Sequence, residues 1–249
     1  VSLSQEPALS TLKNSCVCGT HDISNEPYAG ASGRHDNFGN AIKTTNGAGP
    51  HNLQIFILSA DGTVLSCLPG FWCPEDLVRE LQFASSLNQV WTNHSLSRTQ
   101  KDQAFRNMHL AHIQQHPPGM SKRSHMQGFD VQYEREYRPN SDVFKGGSGE
   151  AKTVDVLMHQ RMASRPFERY EKFDVAAYCD YGKPMYDKEE DFRDSRGKVN
   201  QEAARQAPKI GNSEMPNKRG YAEPINDPRL WGQGNQGGQS NQGHVWGQQ

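Results

Sequence analysis

Leu53-Gln54-Ile55-Phe56-Ile57-Leu58-Ser59-Ala60-Asp61-Gly62-Thr63-Val64-Leu65 is the stretch on which the reading of this chain turns. Leu53, Ile55 and Ile57 alternate with Phe56 and Leu58, which fills both faces of a sheet and predicts a central strand. Asp61-Gly62 supplies a turn in which glycine tolerates positive φ, and Val64-Leu65 opens a second, antiparallel strand. After Phe71-Trp72 comes Cys73-Pro74-Glu75-Asp76, with proline at a first helical position and two carboxylates where a helix dipole favours negative charge. Leu77, Leu81, Ala84, Leu87 and Trp91 then recur at helical spacing and give one apolar face to cover the hairpin. The product is a strand-turn-strand-helix unit.

In this order of elements, with its Asp-Gly turn, Gly-aromatic step and Pro-Glu-Asp-Leu helix start, the chain resembles the C-terminal half of a thioredoxin-like domain of secreted bacterial thioredoxin-family proteins. The likeness covers residues 8 to 92. It implies an α/β fold, a partial or degenerate thioredoxin-like domain over 1–95, with a short helix over Ser4–Asn14 and a strand over Ser15–Thr20 before the hairpin. Redox-active members carry a Cys-x-x-Cys pair at a helix start and a cis-proline just before the strand corresponding to Leu53–Leu58. This chain has neither, since Pro50 falls too early. The resemblance therefore implies the fold without the usual activity, and no enzyme is expected.

Composition limits the size of any core. Of 249 residues, 34% are hydrophobic, and the mean hydropathy is -0.86, low for one core spanning the whole chain. A formal net charge of -1 lacks the basic footprint of a nucleic-acid binder. No apolar run of membrane-spanning length occurs, which leaves peripheral association with a membrane complex as the membrane role open to it. Because the chain opens on Val1 rather than Met, its N-terminus is expected to arise by signal-peptide cleavage, hence export to a periplasmic or extracellular space.

Residues 24–52 are rich in Gly, Asn, Ser and Thr and read as a long irregular loop. Over 96–150 a helix at Thr99–His116, ended by Pro117-Pro118-Gly119, leads into a polar linker. Residues 151–249 read as a long, mostly irregular C-terminal arm, with one short helix at Thr153–Met162. Its aromatics Phe167, Tyr170, Phe173, Tyr178, Tyr181, Tyr186 and Phe192 stand singly among charges, and Trp231 and Trp246 flank a Gly/Gln-rich tail. Such spacing suits an extended segment that sets one anchor at a time into another protein. The leading expectation is a non-catalytic accessory subunit of an exported multi-protein assembly, with other subunits as partners and no cofactor.

Two other chemistries are written in the chain. Cys16-Val17-Cys18 and the pair Cys67 and Cys73 are candidates for disulfides or for a thiol-disulfide oxidoreductase or redox sensor, Cys73 being placed where a helix N-terminus lowers a thiol pKa. The fifth cysteine, Cys179, pairs with Cys16 or Cys18 or stays free. His109, His112 and His116 share one helical face and offer imidazoles for a metal ion or haem iron. Two turns separate the outer pair by about 10.5 Å, so the expected ligands are His109 with His112, or His112 with His116.

Overall fold

Gly62, at φ 84°, lets the chain reverse between two strands, and Asp61 secures the turn by accepting the Thr63 N–H at 3.0 Å and the Trp91 indole N–H at 3.1 Å. The computed structural model describes residues 2–30, 44–146 and 148–184. Strands β1 (Gln54–Leu58) and β2 (Thr63–Pro69) pair antiparallel around this turn, Phe56 opposite Cys67, with a register shift between Ile57 and Leu58. A two-residue strand, β3 (Glu168–Arg169), pairs antiparallel with Thr63 and Val64. The sheet order is therefore β1-β2-β3, and the central strand is β2 rather than β1. All seven β2 residues are buried, whereas β1 is half-buried and ends exposed. The apolar run of β1 is shared between one covered face and a partly wet edge, a distinction that periodicity does not encode.

Helix α1 (Ala8–Ser15) precedes the sheet, and the strand expected after it is reduced to a single bridge residue, Cys18. Cys16 is its C-cap. Helix α2 (Pro74–Thr92) begins as its sequence dictates, with Pro74 in the first turn beside Glu75 and Asp76. Its start is also held from a distance: Asn46 accepts the Cys73 N–H at 2.7 Å and donates to Asp76 at 2.7 Å. Residues 44–52 of the loop are thus pinned by the chain itself. Gly70, at φ 70°, permits this approach, because a Cβ there would overlap the Ala48 carbonyl oxygen.

Helix α3 (Arg98–Ile113) starts in a capping box between Ser97 and Gln100. The polar 96–150 region adds α4 (Pro118–Arg123) and α5 (Gly128–Tyr137), and α6 (Val154–Ala163) packs along α3. A short α7 (Val175–Cys179) closes the described chain. The protein is thus mixed α/β, a small three-stranded antiparallel sheet with several helices. No helix among the described residues is long and apolar enough to cross a membrane.

The aromatics expected to anchor a partner are used at home. Phe167, Phe173 and Tyr178 lie in one core cluster with Leu68, Trp72, Leu87 and Phe105, and Tyr170 packs against it. Tyr181 joins a smaller cluster with Val143, Phe144 and Leu157. Tyr178 Oη lies 2.9 Å from the Cys67 carbonyl and 3.2 Å from that of Met158, and Tyr181 Oη donates to the Gly47 carbonyl at 2.7 Å. The single-anchor spacing is real, but its pockets belong to this chain. Tyr186, Phe192, Trp231 and Trp246 lie outside the described residues.

Candidate metal centre

Three helical segments aim side chains at one point. Glu80 comes from α2, His112 from α3, His116 from the turn just after it, and His159 from α6. Residues four apart stack on a helix face. Beyond Ile113 the backbone keeps coiling, with Gln115 N–H donating to the His112 carbonyl at 2.8 Å, and this carries His116 onto the His112 side.

The geometry converges on the Glu80 carboxylate. Nε2 of His112 lies 3.3 Å from Oε1, Nε2 of His116 lies 3.6 Å from the same oxygen, and Nε2 of His159 lies 3.3 Å from Oε2. One ligand atom from each residue falls within 4.8 Å of every other. The ring centres form a near-equilateral triangle with sides of 4.7, 5.0 and 5.1 Å. Glu80 and His159 side chains are 0% exposed, His116 2% and His112 13%. Phe83 stacks on His112, ring centres 3.9 Å apart and planes 6° from parallel.

Each of two imidazoles is also held from behind. His116 Nδ1 lies 2.9 Å from Asp155 Oδ2, an oxygen that Ser121 Oγ also approaches at 3.2 Å. A carboxylate only accepts, so Nδ1 carries the proton and neutral His116 presents a lone pair at Nε2. That lone pair faces another acceptor, Glu80. His116 Nε2, 3.6 Å from Glu80 Oε1, and Glu80 Oε2 are both buried without a hydrogen-bond partner, and a proton or a cation at the cluster would satisfy them. His159 Nδ1 meets His109 Nδ1 at 2.8 Å, so one of the two donates.

Charge follows the same logic. Burial alone raises the Glu80 carboxyl pKa, but the His159 charge and hydrogen bonds from His112 and His159 outweigh it and hold the group far below the carboxylate range. Burial likewise opposes ionisation of Asp155, and the His116 contact reverses the balance. His109 is pushed well below the ordinary imidazole value by burial and then by His159, and burial also lowers His159, with Glu80 opposing. A metal ion needs free imidazole lone pairs around an ionised carboxylate, so its binding would displace the Nε2 protons that His112 and His159 direct at Glu80.

Of the three histidines expected as ligands, the candidate group brings together His112 and His116 and does not include His109. His109 sits between Phe83 and Phe105, with ring centres at 5.0 and 4.4 Å, because the helical period turns it toward the core beside Phe105. Glu80 and His159 carried no expectation. The available signal was the spacing Asp155-x-x-x-His159, which repeats that of His112-x-x-x-His116. Glu80 had none, being one more carboxylate on an amphipathic helix.

None of the cysteines joins this site, and all five are free thiols. Cys67 and Cys73, candidates either for a disulfide or for two free thiols, are both free in the structure. Cys67 lies inside the sheet, where burial and then Cys179 hold its thiol well above the usual value. Cys73 does occupy the N-cap of α2, yet burial, and then the nearby Asp76, raise its pKa rather than lower it. Cys16 is raised by burial and by Cys18. Comparisons with protein-family models, curated proteins and solved structures find no match for this chain.

Proposed function

We propose that this protein binds a divalent transition-metal ion through Glu80, His112, His116 and His159. The observation that carries the reading is the convergence of three imidazole Nε2 atoms on one buried carboxylate, with His116 Nε2 and Glu80 Oε2 lacking partners. Imidazole nitrogen with a single carboxylate suits zinc and its first-row neighbours, and is poor in oxygen for magnesium or calcium. Asp155 behind His116 is the carboxylate-histidine arrangement that fixes tautomer and ring orientation in metal sites. The thioredoxin-like strand-turn-strand-helix unit serves in this reading as the scaffold that carries Glu80, and not as a redox centre.

The test uses full-length protein purified without an affinity tag. Metal analysis is expected to find about one transition-metal ion per chain, and chelator-treated protein is expected to take up one zinc equivalent in calorimetry. A His159→Ala protein should lose that stoichiometric binding while its far-ultraviolet circular dichroism persists. Equal uptake by wild type and variant, or none by either, sinks the proposal.

A further inference from the structure

Resting on the metal reading above, we propose that the ion is held in a closed, four-coordinate tetrahedral cage, so that the site is a zinc-class clamp joining α2, α3 and α6 and leaves no position for water or substrate. Distances choose between geometries. With metal-ligand bonds of about 2.0–2.1 Å, a tetrahedron has edges of about 3.3–3.4 Å, and adjacent octahedral ligands lie about 2.9 Å apart. Measured to the one oxygen Oε1, the His112, His159 and His116 Nε2 atoms lie at 3.3, 3.4 and 3.6 Å, on the tetrahedral side. A ring centre lies about 3.2 Å from an ion bound at its Nε2, which puts ring centres about 5.2 Å apart at the tetrahedral angle and about 4.5 Å apart at a right angle. Sides of 5.0 and 5.1 Å favour the tetrahedron, and the 4.7 Å side between His112 and His116 lies nearer the right-angle value.

Closure follows from what surrounds the ligands. Three imidazoles leave one tetrahedral direction, and Glu80 fills it from α2. Catalytic zinc sites use three protein ligands and reserve the fourth place for water, but here the fourth is a buried carboxylate. His112 is the one ligand with more than marginal exposure, and Phe83 lies flat on its ring. Asp155 and His109 hold His116 and His159 from behind, so two ligands are oriented before any ion arrives. Copper(II) prefers tetragonal geometry, which this cage does not offer, and hard cations lack oxygen ligands. The ligands come from α2, from α3 and the turn after it, and from α6, so the ion would act as a cross-link between them.

Cobalt(II) replaces zinc in the full-length, chelator-treated protein and reports coordination by colour. The expected result is an intense visible absorption envelope, characteristic of tetrahedral cobalt, that azide and cyanide leave unchanged. Zinc loading should raise the melting temperature of the same preparation, and Asp155→Asn should weaken zinc binding about 10- to 100-fold without changing the cobalt spectrum's type. Weak bands, or bands that shift with azide, would show a bound ion with an open position; that overturns the closed clamp and leaves the metal reading standing. Absence of both cobalt and zinc uptake overturns the two together.

Discussion

Removing one oxygen atom from Tyr178 tests whether residues 167–184 belong to the folded body or lie on it loosely. The ring is 1% exposed, and its hydroxyl has the Cys67 carbonyl at 2.9 Å and the Met158 carbonyl at 3.2 Å. It carries a single proton, so it donates to one of them at a time, and Cys67 is the nearer. Tyr178→Phe keeps the ring and its packing and leaves a buried carbonyl without its donor, at a cost of about 1–3 kcal/mol. For a folded body of this size each kcal/mol moves the melting temperature about 2–4 °C, so the midpoint should fall by about 2–12 °C. Differential scanning calorimetry reads the shift directly. Tyr137→Phe is the control, because that ring is 62% exposed and an exposed substitution stays within about 0.5 kcal/mol. If both variants melt together, the Tyr178 hydroxyl is not seated in the core and the reading of this segment as part of the body fails.

Three further outcomes are expected. Asp76 is fully buried and accepts from Arg123 at 2.6 and 2.8 Å; Arg123→Met should destabilise by about 2 kcal/mol, less than the 3–5 kcal/mol of a fully buried pair because Arg123 is 43% exposed, and a change below 0.5 kcal/mol in denaturant unfolding counts against it. His51, with its ring nitrogens 3.1 and 3.2 Å from the Tyr28 and Tyr181 carbonyls, has its pKa lowered, chiefly by burial. The unfolded chain then binds the proton more readily, so the His51 contribution is complete above the unfolded value of about 6.5 and is lost as pH falls from there toward the folded pKa; chelator-treated wild type should lose more stability between pH 8 and pH 5 than His51→Gln, and equal losses refute this. Native thiol titration should count the partly exposed Cys16, Cys18 and Cys73 promptly and all five cysteines only after unfolding; fewer than five after unfolding without reductant would reveal a disulfide.

The hairpin and α2 were legible in the sequence because their signals are local. Gly62 demands its turn, Pro74-Glu75-Asp76 demands a helix start, and the structure places both within a residue or two of the reading. The rank of the strands was not legible, because β3 comes from a two-residue segment a hundred residues downstream. Half of the candidate metal site could be read for the same reason. His112 and His116 advertise themselves by i,i+4 spacing, whereas Glu80 looks like an ordinary surface carboxylate until α3 and α6 are laid over it. The aromatics of 167–181 mark the limit most clearly: isolated rings among charges announce that they insert somewhere, and nothing in their spacing says whether the receiving surface is this chain or another.

The order of the ligands along the chain also sets an order in time. Glu80 leaves the ribosome first, then His112 and His116 as a two-imidazole pair, and His159 follows several seconds later at about 5–20 residues per second. In the proposed site, a nascent chain halted before α6 would therefore present an incomplete chelate, able to hold an ion loosely and release it. On the proposed metal binding, the arrival of α6 would turn that loose grip into a committed one, which would make metal capture a late event of biogenesis.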